Sequence, residues 1–157
     1  MPTIHLTTVI HAPMERVFDL SRSITLHKRS MAHTGEEAIK GRLSGLISLN
    51  ETVTWRARHL GKTREFTSRI TDMRGPEYFC DEMEHGDFKY LRHEHHFKQI
   101  ENGTVAIDVM EFEAPYGWIG RMVVKFYLAN YMYKLLEQRN TVIKDYAETE
   151  KWRVVLE

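Results

Sequence analysis

The chain has 157 residues, a length typical of one domain whose core can bury most of its apolar side chains, and we predict a single domain over 1–157. Lysine plus arginine and aspartate plus glutamate both number 22, and this balance argues against a general nucleic-acid or anionic-membrane binder. The single cysteine, Cys80, excludes a disulfide framework and a thiolate zinc site within one chain.

The N-terminal stretch MPTIHLTTVIHAP lacks the basic and apolar segments of a signal peptide, and no apolar run approaches the roughly 18 residues of a membrane span. We therefore expect a cytoplasmic protein. Residues 3–11 alternate and are rich in β-branched side chains, which predicts a strand that ends at Ala12-Pro13. A helix then begins near Pro13, a second short helix covers about 23–31, and a short strand followed by a loop falls within 34–47.

Residues 50–73 predict two strands joined at Gly61-Lys62, because glycine in the first position of a two-residue loop suits a type II′ turn. This turn would place Arg58 opposite Glu65. One face of the hairpin is mainly apolar and is predicted to lie inside, whereas the other carries charged and hydroxyl side chains. The predicted inner face consists of Val53, Trp55, Ala57, His59, Phe66, Ser68 and Ile70.

Residues 75–91 predict a strand, a turn at His85-Gly86 and the start of the next strand. Two registers are open. A two-residue loop would place Tyr78 and Cys80 inside, whereas a three-residue loop with a glycine bulge would bury the larger apolar set, which we prefer. The inner residues of the preferred register are Phe79, Asp81 and Met83.

Residues 91–113 predict a further hairpin, because Asn102-Gly103 is a strong signal for a type I′ turn. That turn would place His95 opposite Met110. One face of the predicted hairpin then carries Leu91, His93, His95, Phe97, Asp108, Met110 and Phe112.

The orientation of this hairpin decides which of its three histidines are buried. His93 and His95 share one face, and His96 lies on the other. We predict that the face of His93 and His95 is the inner one, because it holds more of the aromatic and apolar residues of its own strand. The partner strand favours the opposite orientation through Val105, Ile107 and Val109.

From about Tyr116 the apolar period changes to that of a helix, and roughly thirty residues follow without proline. The apolar positions at helical spacing are Ile119, Met122, Val123, Phe126, Ala129, Met132, Tyr133, Leu136, Ile143 and Tyr146. After the helix, the tail EKWRVVLE at 150–157 alternates. This tail would pair with a sheet edge, pair with a second subunit, or fray. Pairing with a second subunit would make the protein a homodimer.

Several short motifs accompany this order of strand, two short helices, six-strand meander and long C-terminal helix. Three are continuous: IHAPMERVFDL at 10–20, HEHHF at 93–97 and APYGWIG at 114–120. The fourth is a spaced set that consists of Pro76, Phe79, Asp81, Gly86 and Phe88. With these motifs the chain resembles the START-like helix-grip superfamily, which includes the birch-pollen allergen, lipid-transfer domains and the polyketide cyclase/dehydratase branch. It is most similar to a bacterial subgroup described as ligand-binding or cell-division-inhibitor-like.

The resemblance implies an α+β fold in which a curved antiparallel sheet wraps around the long C-terminal helix and encloses a cavity. We expect the cavity to bind a small, largely apolar ligand, such as a lipid, a polyketide or an isoprenoid-like molecule. The residues expected to line it are Trp55, His59, Phe66, Phe79, His93, His95, Phe97, Met110, Phe112, Phe126 and Tyr133.

Two other functions remain open at this point. One is a cyclase or dehydratase in which His95 and Asp108 form an acid–base pair, because imidazole titrates near neutrality and a neighbouring carboxylate would orient it. The other is a protein–protein adaptor linked to cell division, which would have a filled core and an exposed apolar patch.

The remaining reactive side chains favour structural interpretations. His93 and His95 have the spacing of metal ligands on a strand, with Asp108 or His59 as a third ligand, but this set is thin, and we predict neither a metal nor another cofactor. Arg139 is interpreted as a surface charge or a structural ion pair rather than as a clamp for a ligand carboxylate. Cys80 is interpreted as a small apolar filler.

Overall fold

Seven antiparallel strands form one sheet in the order β1-β7-β6-β5-β4-β3-β2 in the computed structural model, which describes residues 2–114, 122 and 127–157. The strands are β1 (Thr3–Ile10), β2 (Glu37–Gly41), β3 (Thr52–His59), β4 (Lys62–Arg74), β5 (Tyr78–His85), β6 (Tyr90–Ile100) and β7 (Gly103–Glu113). The helices are α1 (Met14–Ser21), α2 (Ile24–Ser30), α3 (Ala129–Glu148) and α4 (Trp152–Leu156), with a 3₁₀ turn at Ala32–Thr34. This arrangement confirms the predicted α+β helix-grip fold.

The two short helices follow β1, as predicted, and each has a local cause. Pro13 precedes α1, whose buried face is formed by Val17, Phe18 and Leu20. The Ser23 side chain caps α2 by accepting a hydrogen bond from a backbone N–H in its first turn. These helices pack against α3 and so join the two layers of the fold.

The β3–β4 hairpin turns one residue earlier than predicted. Leu60 and Gly61 form the two-residue loop, and both have left-handed φ angles, 54° and 77°, as a type I′ turn requires. Glu65 therefore lies opposite Arg56, and the predicted pair with Arg58 is wrong. The inner face is nevertheless confirmed, because a register shift of two residues leaves every side chain on its own face.

The β6–β7 hairpin also turns one residue early, through Glu101 and Asn102. Gly103 already belongs to β7. A Cβ atom at Gly103 would collide with the carbonyl oxygen of Ile10 in the neighbouring strand β1. The glycine is therefore needed for close approach between strands rather than for the turn.

The predicted orientation of this hairpin is confirmed. All seven residues of the predicted inner face are buried, whereas the His96 side chain is 41% exposed on the outer face. Because of the shifted turn, His95 lies opposite Asp108 and not opposite Met110. On β5 the preferred inner face is confirmed as well. Cys80, also buried, pairs with Glu94 on the opposite face.

The C-terminal part of the chain is helical. Helix α3 packs against β1, α1 and α2 and buries Leu136, Arg139, Asn140, Ile143 and Ala147. Residues 116–121 and 123–126 of the predicted helix lie outside the described residues. No helix among the described residues is long and apolar enough to cross a membrane.

The tail forms α4, so the predicted pairing with a sheet edge and the predicted frayed end are wrong, whereas pairing with a second subunit stays a prediction. Trp152, Val155 and Leu156 pack against the main core, and the Arg16 guanidinium lies 4.2 Å from the centre of the Trp152 ring. These contacts with α1 stabilise the short helix, which alternation alone would not predict.

Candidate functional site

A cavity of about 450 Å³ lies between the inner face of the sheet and helices α2 and α3. Most of its wall is apolar. Of the predicted lining residues, seven contact it: Trp55, His59, Phe66, Phe79, His93, His95 and Met110.

The other predicted lining residues lie elsewhere. Phe97 packs edge-on against Phe18 with ring centres 5.6 Å apart, and Phe112 is fully buried beside Phe88, so both belong to the core. Tyr133 is 36% exposed and does not line the cavity. Phe126 lies outside the described residues.

Six connected polar side chains, which we call the deep cluster, lie at the floor of the cavity and directly behind it. They come from β5, β6, β7 and α3. Its members are Asp81, His93, His95, Asp108, Arg139 and Asn140.

Asp108 is the centre of the deep cluster. Its carboxylate accepts hydrogen bonds from His93 Nε2 at 2.7 Å, Asn140 Nδ2 at 2.7 Å and Arg139 Nη1 at 3.4 Å. Burial alone would raise the pKa of Asp108, but the His93 hydrogen bond and the charges of the surrounding groups hold this pKa well below its usual range. Asp108 is therefore an ionised acceptor, and His93 donates through Nε2.

Arg139 is buried, with 6% exposure. Its Nη1 donates to Asp108 and to Asn140 Oδ1, and its Nη2 donates to the Ser21 carbonyl at 3.1 Å and to His95 Nδ1 at 3.5 Å. The interpretation as a structural ion pair is confirmed, and that as a surface charge is wrong.

His95 lies between two rings, the Phe79 ring at 4.0 Å and the His93 ring at 3.7 Å between centres. Its Nε2 donates to Asp81 Oδ2 at 2.6 Å. Burial and the neighbouring His93 lower the pKa of His95 to about 4, so the ring is neutral near pH 7. Burial would raise the pKa of Asp81, but the hydrogen bond from His95 and nearby positive charge outweigh it, so the pKa is lowered.

His95 and Asp108, the predicted acid–base pair, are not the histidine and carboxylate that lie closest to each other in the deep cluster. His95 Nδ1 lies 3.5 Å from Asp108 Oδ1, whereas His93 bonds to Asp108 and His95 bonds to Asp81. In the neutral tautomer that donates through Nε2, the Nδ1 atom of His93 is an acceptor, and no described residue bonds to that atom.

Asp81, His93 and His95 each offer a ligand atom within 4.8 Å of the others, which raises the question of a metal ion. The lone pair of an imidazole lies in the plane of its ring, and these two rings are stacked at an angle of 27°. Both Nε2 atoms also donate to carboxylates. One ring would have to turn and its proton move before both could bind one ion.

Two further hydrogen bonds, which we call the outer pairs, lie elsewhere along the cavity wall. His27 Nε2 lies 2.5 Å from Glu36 Oε1, and His59 Nδ1 lies 2.7 Å from the Tyr131 hydroxyl. Burial lowers the pKa of His59. Tyr131 precedes Arg139 by eight residues, about 12 Å along the helix axis, so this pair lies well away from the deep cluster.

The sequence analysis did not place Arg139, His27 or Glu36 at the cavity, nor Asn140 in the deep cluster. A signal for Arg139 existed, because it follows Leu136 by three positions and precedes Ile143 by four, on the buried stripe of the helix. Asp81 was placed on the inner face, but no pattern indicated its bond with His95.

The chain matches the model of one protein family, and many solved structures share its fold. A model of the family described as polyketide cyclase / dehydrase and lipid transport matches residues 10–138. No curated protein matches the chain.

Three solved structures illustrate the shared fold. TTHA0849 from Thermus thermophilus has a TM-score of 0.74 at 17% identity, covering 92% of this chain and 95% of its own. Ginseng major latex-like protein 151 from Panax ginseng has a TM-score of 0.70 at 12% identity, covering 94% and 98%. CV1439 from Chromobacterium violaceum has a TM-score of 0.65 at 14% identity, covering 95% and 99%.

Proposed function

The chain belongs to the polyketide cyclase / dehydrase and lipid transport family, and on that premise we propose that its cavity reversibly binds a small, largely apolar molecule, such as a lipid, polyketide or isoprenoid-like compound. The observation that carries the proposal is the cavity itself, whose volume of about 450 Å³ falls within the range of small-molecule sites. Removing apolar ligand surface from water, at roughly 25 cal/mol per Å², would supply the affinity.

The polar groups at the cavity support a role in orienting such a ligand. His93 and His95 belong to the deep cluster, and His59 and the Tyr131 hydroxyl form one outer pair. A ligand with an apolar body and one polar end would bury the body against the wall and direct the end to one of these groups. The space between sheet and helix also favours a ligand over the adaptor function, for which a filled core is expected.

Binding can be tested with N-phenyl-1-naphthylamine, an uncharged apolar dye whose fluorescence rises when it leaves water. The wild-type protein should bind the dye saturably. Ala57→Phe should weaken binding at least about tenfold, because Ala57 lines the cavity and the added ring would occupy it.

The matched control is Arg58→Phe, which introduces the same ring at the exposed neighbouring position on the outer face. Its dye affinity should equal that of the wild type. Near-ultraviolet circular dichroism would establish that both variants are folded. Equal dye binding by folded Ala57→Phe would contradict the proposal.

A second function is favoured by one observation, the Nδ1 acceptor of His93, which has no partner among the described residues and whose ring is held by ionised Asp108. This arrangement suits a general base, with Asp108 as a positioning residue that selects the tautomer. In cyclase or dehydratase chemistry, Nδ1 would take the proton from the carbon next to a carbonyl. The electron pair of the C–H bond would pass into the enolate.

Hydrogen exchange tests this step without knowledge of the natural substrate. Acetophenone incubated with the protein in D₂O should exchange its methyl protons for deuterium faster than in buffer, as measured by NMR. His93→Gln should abolish the acceleration, whereas His96→Gln, on the outer face of the same strand, should retain it. Acceleration that persists in His93→Gln would exclude His93 as the base.

A further inference from the structure

We propose that the floor of the cavity recognises a ligand group that donates hydrogen bonds, above all a protonated amine, and that the Asp81 carboxylate is its acceptor. Apolar ligands that end in a carboxylate would be disfavoured. The proposal rests on the proposed binding function and names the class of ligand that the cavity selects.

Asp81 is the accessible member of the deep cluster. Its side chain is 20% exposed and lines the cavity, whereas the side chains of Asp108 and Arg139 are 5% and 7% exposed. One carboxylate oxygen of Asp81 accepts from His95 and the other from the Ser68 hydroxyl at 3.3 Å. An ionised carboxylate offers about four lone-pair sites, so Asp81 retains capacity for a ligand donor.

His93 adds a second acceptor nearby. Its Nε2 donates to Asp108, and in the neutral tautomer Nδ1 carries a lone pair; no described residue bonds to that atom. One nitrogen of His93 and one oxygen of Asp81 lie within 4.8 Å of each other. A group with several N–H donors, such as an ammonium, can serve two neighbouring acceptors, which an ether or a carboxylate cannot do.

The cationic side chain at the floor is not arranged to hold an anion. Both terminal nitrogens of Arg139 donate to protein acceptors, namely Asp108, Asn140, the Ser21 carbonyl and His95. Within the described part of the chain, only Nε lacks an acceptor. A single N–H cannot form the bidentate fork with which arginine binds carboxylates.

The charge balance favours the same class of ligand. The deep cluster contains two carboxylates, those of Asp81 and Asp108, and a single guanidinium, that of Arg139. Both faces of the His95 ring are covered, by Phe79 and His93, which disfavours a charge on that ring. A ligand ammonium would place a positive charge beside the Asp81 carboxylate, whereas a ligand carboxylate would add a third carboxylate in a poorly solvated site.

The test uses four ligands with the same ten-carbon chain: decylamine, decanol, decyl methyl ether and decanoate. Each displaces N-phenyl-1-naphthylamine from the wild-type protein at about pH 8, where an unperturbed imidazole is neutral. Decylamine should bind at least about tenfold more tightly than the ether, decanol should lie between them, and decanoate should be the weakest.

Two variants test whether Asp81 is the residue that causes the preference for decylamine. Asp81→Asn should bring decylamine and the ether to within about threefold of each other while the ether affinity changes little. Glu65→Gln also removes one negative charge near the cavity, but from an exposed side chain on the outer face of β4, and it should retain the preference for decylamine. The same loss of preference in both variants would indicate general charge attraction and overturn the assignment to Asp81.

The outcomes separate the two proposals. Equal affinities of the wild-type protein for decylamine and the ether would overturn the head-group proposal and leave apolar binding intact. Failure to bind the dye and all four ligands would overturn the binding function itself. If Asp81→Asn does not fold, the wild-type series and Glu65→Gln still decide whether a donor group is selected.

Discussion

Four members of the deep cluster and all four residues of the outer pairs line the same cavity, yet the two sets are built differently. Asp108 alone accepts from three side chains, and the cluster ties three strands to helix α3. Each outer pair is a single hydrogen bond, and in the pair of His59 and Tyr131 both residues are partly exposed. A connected buried network sets the position and charge of its members, whereas an isolated partly exposed bond can be altered at small cost.

The largest expected effect comes from removing the cation of the deep cluster. Arg139→Met should lower the free energy of unfolding by about 3–5 kcal/mol, because Asp108 would remain buried without its ion-pair partner. Urea denaturation near neutral pH measures the loss. Arg153→Met, which removes an exposed arginine from ion pairs with Glu150 and Glu157, is the matched control and should change stability little. Similar losses in the two variants would refute the distinction between network and surface pair.

The pH dependence of stability should come next in size. The pKa of His95 is lowered to about 4 in the folded protein, from a value near 6.5 when exposed. Between these values the unfolded chain binds the proton more readily. The contribution of His95 is therefore complete above about pH 6.5 and is lost as the pH falls towards 4, amounting to about 3 kcal/mol. The lowered pKa values of Asp81 and Asp108 predict a further loss at still lower pH.

Urea titrations of the wild type, His95→Gln and His5→Gln between about pH 7 and 4.5 measure this slope. His95→Gln should have the shallower dependence, whatever its absolute stability. His5 is an exposed histidine on β1, and its substitution should not change the dependence of stability on pH. If the stability of His95→Gln depended on pH as steeply as that of the wild type, the buried His95 ring would not be the cause of the pH dependence.

The smallest expected effect concerns an outer pair. Tyr131→Phe removes only the hydroxyl that bonds to His59 and should cost about 1 kcal/mol or less, because both groups retain access to water in the cavity. The same urea experiment applies. A loss as large as that of Arg139→Met would mean that the outer pair is as strongly coupled as the deep cluster, and the comparison would fail.

The faces of the strands could be predicted even where the pairing was not. Both hairpin turns fall one residue earlier than predicted, which shifts each register by two residues. Because side chains alternate with a period of two, His93, His95 and Asp108 still point inward as predicted. The predicted partners, such as Arg58 with Glu65, depend on the register itself and are therefore wrong.

Alternation, helical periodicity and turn residues, read from the sequence alone, determined the order of the elements and the inner face of each hairpin, because these depend on local chemistry. The helix-grip fold was implied by the motifs that resemble the START-like superfamily. The tertiary structure decided which polar groups meet. The bond between His95 and Asp81, the pairing of Arg139 with Asp108 and the packing of the C-terminal helix all join residues distant in sequence. Their partners depend on how strands and helices approach one another, as the contact of Gly103 with Ile10 illustrates, and no local pattern carries that information.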